Sequence, residues 1–352
     1  MSKSTKTYIL VTTGAGNTIV GGADIWVNNF LKEVWNTLPN KKSYKLLIDS
    51  KRPADFNENS LPKGLQFHFH FDDPSKTEQW LANCSYIHFL HPHYHHRPHI
   101  WKWEDKFGVC FVHAYPREIQ GVLSKLPEID RLQSQTKIDL DFYDEFLLTC
   151  RRRVWIGINS TEMSERFPNY TYTIPNYYEF RGPAPLSTHY QNGSVGFAAR
   201  AETRKCLHWM NGIEKGYALT SWRDVVNMRE TTNYTFPTIQ VYQWEPNILH
   251  AFYTKSWGIF HGASFNEPFG YSIFQAVDYG KIPIINKDWA PELDYKYRVS
   301  TKNEFDICIK KIKKSDINDV NIERNKLIEF MKKFDNKEIW VDRVRSQILF
   351  FD

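Results

Sequence analysis

Two cations stand five residues apart where a predicted buried strand runs into a predicted helix. Arg200 follows the strand at 194–199, and Lys205 falls in the first helical turn after it. Cations at this spacing can converge on one diphosphate, and the amides of a helix N-terminus add further donors to such an anion site. An ordinary surface turn could carry the same pair, so the spacing alone leaves both interpretations open.

An acidic residue precedes a second predicted helix. The predicted strand WGIFH ends in a loop, and Pro268 opens the following helix at the position that proline prefers. Glu267 can therefore accept hydrogen bonds from hydroxyl groups, while amides near Phe269 and Gly270 point at an anion. Gln275 lies eight residues beyond Glu267, about two turns along a similar face. The alternative is that Glu267 only caps the helix.

Histidines are crowded into the segment HFLHPHYHHRPHIW, which runs from His88 to Trp101. Imidazole suits zinc and copper, but Pro92 and Pro98 interrupt the spacing, and neither a cysteine nor a carboxylate pair joins the histidines. We therefore expect no metal site. We expect instead a ligand-facing loop whose imidazoles contact phosphate and whose aromatic rings stack, formed by His91, His93, Tyr94, Arg97 and Trp101. A plain solvated loop is the competing interpretation.

Two further features stand at strand boundaries. His113 ends the predicted strand 108–113, where it either faces a ligand or is satisfied within the fold. Arg151, Arg152 and Arg153 form a basic run before the next predicted strand. Such a run could bind a phosphate backbone, although a short run of charge is more commonly solvated surface.

Strand and helix signals alternate along the chain, which predicts an α/β protein with mainly parallel sheets. The segment 181–194 is rich in Pro, Gly and polar residues and is the predicted linker. It separates a doubly wound N-terminal domain, 1–180, from a C-terminal one, 195–335, and we expect the last helix, 336–352, to pack back on the N-terminal domain. Ligands of such domains bind at the carboxyl ends of the strands, so we expect the site in the cleft between them.

Composition excludes several classes of protein. The 352 residues are 41% hydrophobic and 24% charged, as in an ordinary globular protein. No apolar run reaches the roughly 18 residues of a membrane-spanning helix. Five cysteines without a CxxC pair argue against disulfides and a structural zinc site, and fit a reducing, cytoplasmic compartment. The net charge of +5 is too mild to diagnose nucleic-acid binding but suits a polyanionic partner. We expect a monomer without a signal peptide.

Four motifs, in the same order along the chain, resemble those of retaining glycosyltransferases with the GT-B fold. EPFGYSIFQAVDYGKIP is similar to their Glu-x(7)-Glu motif, and Arg200 and Lys205 match their arginine–lysine pair. GGAD at 21–24 resembles an early glycine-rich loop, and PNYYEF at 175–180 resembles the segment before the linker. The resemblance implies two doubly wound Rossmann-like domains that face each other across a cleft. One departure is Gln275, which stands where the family has its second glutamate.

The resemblance also implies a role for each matched residue. Arg200 and Lys205 would stabilise the leaving nucleoside diphosphate, so a nucleoside diphosphate sugar is the co-substrate and neither a cofactor nor a catalytic metal is expected. Glu267 would hold hydroxyls of the donor sugar, His113 would contact the same sugar, and Gln275 would bind the ribose. The remaining donor-binding residues lie where the backbone approaches the donor: Gly21, Gly22, Phe269, Gly270 and Tyr271. Uridine diphosphate is the family's usual nucleotide.

The acceptor implied by the resemblance is DNA. The RxxxxK turn and the size of the chain are similar to T-even-type phage transferases, which attach glucose or arabinose to 5-hydroxymethylcytosine. The loop at 91–101 and the Arg151–Arg153 run would then contact double-stranded DNA in the host cytoplasm, with the modified base turned out of the helix. One alternative is a bacterial transferase of lipopolysaccharide, capsule or another surface glycan. Another, of a different class, is a non-catalytic module that binds sugar nucleotides.

Overall fold

The computed structural model describes most of the chain. The described residues are 6–17, 22–92, 99–113, 115, 140–158, 165–167, 171–186, 194–199, 205–213, 215–220, 225–226, 239–242, 248–262, 267 and 269–351. They divide into two compact units. Unit 1 contains the described residues within 6–115, 140–176 and 337–351, and unit 2 contains those within 177–336.

The sheet of unit 1 has seven strands. They are β1 (Tyr8–Thr12), β2 (Tyr44–Ile48), β3 (Gln66–Phe69), β4 (Tyr86–Phe89), β5 (Phe107–Val112), β6 (Arg152–Trp155) and β7 (Thr171–Thr173). Their order is β3-β2-β1-β4-β5-β6-β7, and every pairing between these strands is parallel. β1 and β5 are buried over their whole length, as the continuous apolar runs of a parallel sheet require. The strand order reverses between β1 and β4, which makes the carboxyl ends of this pair the switch point where doubly wound sheets bind ligands.

The sheet of unit 2 has six strands. They are β8 (Ser194–Ala198), β9 (Gly216–Leu219), β10 (Ile239–Tyr242), β11 (Ser256–His261), β12 (Ile282–Asn286) and β13 (Arg298–Val299). Their order is β10-β9-β8-β11-β12-β13, again with parallel pairings throughout the described strands. The switch point of this sheet lies at the carboxyl ends of β8 and β11. The predicted α/β class with two doubly wound parallel sheets is confirmed.

Eight α-helices lie in the described residues. They are α1 (Gly22–Asn29), α2 (Pro74–Asn83), α3 (Leu140–Thr149), α4 (Ile248–Lys255), α5 (Tyr271–Asp278), α6 (Lys302–Lys314), α7 (Ile317–Met331) and α8 (Lys337–Leu349). α8 belongs to unit 1, where Trp340 packs edge-on against Trp26 with ring centroids 6.0 Å apart. Among the described residues, no helix combines the length and apolarity that crossing a bilayer requires.

Helix α5, which follows Glu267, ends in a Schellman motif. Gly280 N donates to Val277 O at 3.0 Å, and Lys281 N donates to Ala276 O at 2.8 Å. Gly280 has a φ of +71°, and a Cβ atom there would lie 2.2 Å from Pro185 O. Only glycine fits this position, because both the backbone conformation and the neighbouring carbonyl exclude a side chain.

The described part of the predicted linker, 181–186, packs on unit 2. Ala184 N donates to Asp278 O at 3.0 Å, and Arg324 Nη2 donates to Ala184 O at 2.6 Å. The two units divide between Asn176 and Tyr177, four residues before the expected end of the first domain at 180. Residues 187–193 of the predicted linker lie outside the described residues.

Candidate functional site

Lys205, Glu267 and His261 come together at the switch point of unit 2. Lys205 follows β8, and His261 is the last residue of the neighbouring strand β11. Lys205 Nζ forms an ion pair with Glu267 Oε2, and His261 Nε2 lies 3.7 Å from the same oxygen. We call these three residues the Lys205–Glu267 centre. The two switch-point strands thus bring a cation and a carboxylate, 62 residues apart in the sequence, into direct contact.

The electrostatics of this centre keep Glu267 ionised. Its side chain is 18% exposed and that of Lys205 is 13% exposed, so both charges are largely withdrawn from water. Burial alone would raise the pKa of the Glu267 carboxyl, but the charge of Lys205 and the nearby imidazole of His261 outweigh it. The pKa of Glu267 therefore lies well below its ordinary value. At neutral pH the group is a carboxylate, which only accepts hydrogen bonds.

The loop between Glu267 and α5 is fixed by local contacts. Gly270 has a φ of +78°, and a Cβ atom there would lie 2.9 Å from Ile273 Cδ1. Trp289 Nε1 donates to Phe269 O at 2.9 Å, which holds the preceding residue. His261 Nδ1 and Ser272 Oγ are 2.7 Å apart, which joins the end of β11 to the first turn of α5. The helix begins at Tyr271 with Gly270 as its N-cap, three residues later than the predicted start at Pro268, so Glu267 does not cap it. Glu267 lies near this helix through His261, which contacts both Ser272 Oγ and Glu267 Oε2.

Gln275 lies one turn further along the α5 face that carries Ser272. The Tyr253 hydroxyl donates to Gln275 Oε1 at 3.2 Å. Burial is the largest cause that raises the pKa of Tyr253, so this hydroxyl stays protonated and acts as a donor. The amide of Gln275 is therefore oriented by Tyr253, and its N–H groups are the donors it can offer to a ligand hydroxyl.

The other predicted donor-binding residues differ in their placement. Phe269 is buried in the core of unit 2, where its ring stacks on Phe274 with centroids 4.5 Å apart, and Tyr271 is also buried. Both can therefore offer a ligand chiefly backbone groups. Gly22 is the first residue of α1. Arg200 and Gly21 lie outside the described residues, so their predicted roles stay predictions.

Unit 1 carries its own polar cluster at its switch point. Thr13 follows β1 and His91 follows β4, and Thr13 Oγ1 lies 3.0 Å from His91 Nδ1. Asp24 Oδ1 is 4.0 Å from the same nitrogen, and the ring of His113 packs edge-on against that of His91 with centroids 5.3 Å apart. Burial lowers the pKa of His113 to about 4, although its hydrogen bond to Leu90 O acts in the opposite direction. His113 is thus a neutral imidazole at physiological pH.

The structure contradicts a phosphate-binding role for Arg153. This side chain is 2% exposed, and its guanidinium donates to the backbone carbonyls of Leu147 and Cys150. Arg152 lies over the ring of Phe350, 4.0 Å from its centroid, and the exposed Arg151 donates to a backbone carbonyl at 3.0 Å. The run stands at the amino end of β6, whereas the polar cluster stands at the carboxyl ends of its sheet. A charge run in a sequence does not show which of its members faces the core.

Trp101 is a structural residue in unit 1. It is half-buried, and its ring packs on Phe142 with centroids 4.6 Å apart and edge-on against Phe107. The prediction that it stacks on a ligand is not supported, because its ring is already packed within unit 1. His93, Tyr94 and Arg97 lie outside the described residues.

Sequence reasoning missed two site residues, His261 and Asp24. His261 ends the strand WGIFH, a position that predicts a residue facing the switch point. Asp24 belongs to the GGAD motif, but we assigned a role only to its glycines. The available signal was a polar side chain at the end of a buried strand for His261, and one in the first turn of the helix that follows a strand for Asp24.

Solved structures of other proteins are similar to this chain over nearly its whole length. HepE of Anabaena, solved with UDP and glucose, has a TM-score of 0.65 at 13% identity, over 97% of this chain and 99% of HepE. The UDP-forming α,α-trehalose-phosphate synthase of Burkholderia xenovorans, solved with glucose-6-phosphate, has a TM-score of 0.62 at 10% identity, over 97% and 99%. BGT of phage T4, solved with UDP and Mn²⁺, has a TM-score of 0.51 at 10% identity, again over 97% and 99%.

The chain has the GT-B fold. At these identities the likeness concerns the fold alone. The sequence matches no family model and no curated protein. Within the GT-B fold, the Lys205–Glu267 centre stands at the switch point of the second sheet, where doubly wound sheets bind their ligands.

Proposed function

We propose that this chain is a retaining glycosyltransferase that takes its sugar from a uridine diphosphate sugar. The observation that carries the proposal is the Lys205–Glu267 centre, a largely buried cation and carboxylate at the switch point of unit 2. Two solved proteins of the same fold, HepE and BGT, contain UDP. A non-catalytic module that binds sugar nucleotides would also bind UDP, so sugar transfer is the property that separates the two functions.

The chemistry of transfer divides naturally between the two charges. As the bond between the anomeric carbon and the diphosphate breaks, negative charge develops on the leaving phosphate. Among the residues that the structure describes, Lys205 is the cation that would stabilise this charge. Arg200 would assist, as the resemblance implies. The Glu267 carboxylate repels phosphate but accepts well from hydroxyls, so it would hold the sugar. Gln275, oriented by Tyr253, would hold the ribose.

We propose that the leaving diphosphate is neutralised without a metal ion. Lys205 and Arg200 would supply the positive charge that a divalent cation supplies elsewhere. The structure of BGT, in contrast, contains Mn²⁺ together with UDP. After dialysis against a chelator, added Mn²⁺ or Mg²⁺ should leave turnover within about twofold of its starting value. Lys205 and Arg200 would already neutralise the leaving diphosphate, so a metal ion should add little. Activation of about tenfold or more would overturn metal independence.

For the acceptor, we propose 5-hydroxymethylcytosine in double-stranded DNA. The support is the resemblance to T-even-type transferases, the net charge of +5 and the phage origin of BGT, which shares the fold. Arg153 is not part of this surface because it is buried, whereas Arg151 is exposed at the start of β6. The alternative acceptor is a bacterial surface glycan.

A transfer assay tests both the activity and the acceptor. Radiolabelled UDP-glucose and UDP-arabinose are incubated with hydroxymethylated duplex, unmodified duplex and glycan acceptors. We expect label only in hydroxymethylated duplex, because the modified base supplies the accepting hydroxyl. Label in a glycan alone would refute the DNA acceptor but support the transferase activity. If no combination of donor and acceptor gives either sugar transfer or donor hydrolysis, the transferase activity itself is refuted.

A further inference from the structure

Three ligand-type side chains meet at the carboxyl edge of the unit 1 sheet. Asp49 directly follows β2 and His70 directly follows β3, two neighbouring strands whose last residues, Ile48 and Phe69, are paired in register. His70 N donates to Ile48 O at 2.9 Å, which extends that register beyond the strands. His99, from the segment after β4, completes the group. We call Asp49, His70 and His99 the Asp49 cluster.

The geometry of this cluster brings three potential metal-ligand atoms close together. His99 Nε2 lies 3.1 Å from Asp49 Oδ1. The rings of His70 and His99 are stacked with centroids 3.9 Å apart and planes 8° from parallel. One potential ligand atom from each of the three residues lies within 4.8 Å of the other two. Three ligands of one tetrahedral zinc ion lie about 3.3 Å apart, so the three ligand atoms must move closer together. The stacked rings must also turn, because parallel imidazoles cannot both direct their in-plane nitrogens at one ion.

The cluster is largely withdrawn from solvent. The Asp49 side chain is 3% exposed and His70 is 8% exposed, while His99 is 24% exposed. His70 Nδ1 is buried and has no hydrogen-bond partner among the described residues, a cost that a ligand would remove. The partly exposed His99 is the side chain that can move to admit an ion.

We propose that Asp49, His70 and His99 bind a zinc-like divalent transition-metal ion in unit 1. Two imidazoles and one carboxylate suit zinc and its neighbours better than magnesium or calcium, which prefer oxygen ligands alone. Three protein ligands leave a fourth position for water or for a ligand atom. The ion would tie the ends of β2 and β3 to the segment after β4. This site goes beyond the proposed function, does not depend on it, and departs from the sequence-based expectation of no metal site.

Cobalt absorption and thermal unfolding of the full chain test the proposal. Chelator-treated protein is titrated with Co²⁺ and then Zn²⁺, and Asp49→Asn and His99→Gln are compared with His250→Gln, a control that removes an exposed histidine of α4 in unit 2. Asp49→Asn preserves the shape of the side chain, and His99 is partly exposed, so both variants should fold.

We expect one Co²⁺ per chain with the visible bands of a low-coordinate nitrogen–oxygen site, displaced by Zn²⁺, and a melting temperature that rises with Zn²⁺. The control should behave as wild type. Both cluster variants should bind Co²⁺ about 100-fold more weakly, because even supporting residues of metal sites cost about 10- to 100-fold when lost. Wild-type affinity in Asp49→Asn and His99→Gln would place any bound ion elsewhere and overturn the proposal, as would no stoichiometric binding by the wild type.

Discussion

Replacing Lys205 by methionine removes the cation that neutralises Glu267. Methionine keeps much of the length of the side chain but not its charge, so the change tests electrostatics more than packing. In the variant, burial continues to raise the pKa of the Glu267 carboxyl, while only His261 remains to lower it. A largely buried carboxylate loses its ion-pair partner.

The expected cost follows from the burial of the pair. With the two side chains 13% and 18% exposed, loss of one partner should lower the free energy of unfolding by about 3–5 kcal/mol at pH 7. The Lys302–Asp306 pair on α6 is 38% and 42% exposed, so Lys302→Met should cost about 0.5 kcal/mol and serves as the matched control. Loss of one charge at the leaving diphosphate should also lower kcat by about 30- to 1000-fold, the equivalent of about 2–4 kcal/mol.

The pH dependence has a definite sign. In the wild type the pKa of Glu267 is depressed, so its stabilisation is present above its unfolded pKa and is lost as the pH falls through the folded value. In Lys205→Met the pKa of Glu267 rises, so on acidification Glu267 is protonated in the variant at a higher pH than in the wild type. Protonation removes the unpaired buried charge and with it much of the variant's loss of stability. The stability difference between the two proteins should therefore be largest near neutral pH and should shrink as the pH falls towards 4.5.

Urea-induced unfolding, followed by circular dichroism at several pH values, measures these effects. The double variant Lys205→Met/Glu267→Gln should recover much of the loss at pH 7, because no unpaired carboxylate remains. A difference that is independent of pH, or single-variant losses that add in the double variant, would refute the reasoning that the two charges are coupled.

Three further predictions concern Gln275, Gly280 and His113. Gln275→Ala should weaken UDP binding, measured by calorimetry, by about tenfold, which corresponds to the loss of about one good hydrogen bond. Glu267→Gln should leave UDP affinity unchanged and lower sugar transfer. Equal losses of UDP affinity in the two variants would show that the roles of Gln275 and Glu267 are wrongly assigned. Gly280→Ala should lower the free energy of unfolding by about 2–4 kcal/mol, because φ is positive there and the added carbon would clash with a carbonyl oxygen. The control Gly212→Ala should cost about 1 kcal/mol, since φ is positive but no atom lies within 4 Å of the added carbon. Similar costs in the two variants would contradict the clash at Gly280. NMR titration should show His113 neutral above about pH 5, consistent with its pKa of about 4, and a midpoint near 6.5 would contradict the burial argument.

Most of the sheet strands were predictable because their sequences are continuous apolar runs. YILVT, FGVCFV and IPIIN are buried throughout, as central parallel strands must be. β7 and β13 are only three and two residues long, too short for a pattern to rise above the turns around them. The helix predicted to carry Lys205 in its first turn is, in its described part, a 3-10 turn at Leu207–Met210 after Cys206 in the left-handed region.

The candidate site was only partly predictable, because contacts between distant residues depend on strand order. Lys205 and Glu267 were each identifiable from local motifs, but their ion pair exists because β8 and β11 are neighbours. The pairing of β2 with β3 likewise joins Asp49 to His70, which no local spacing could show. The prediction for Arg153 was wrong for a related reason, since its charge concealed that its side chain is directed into the fold.

Calorimetric titration with UDP tests the central claim most directly, because it isolates the Lys205–Glu267 centre from the identity of sugar and acceptor. Wild type and the control Lys302→Met should bind UDP alike, and Lys205→Met should bind it about tenfold more weakly or worse, the loss of one charge-assisted contact to phosphate. Absence of UDP binding by the wild type, or equal affinity in Lys205→Met, would contradict the account.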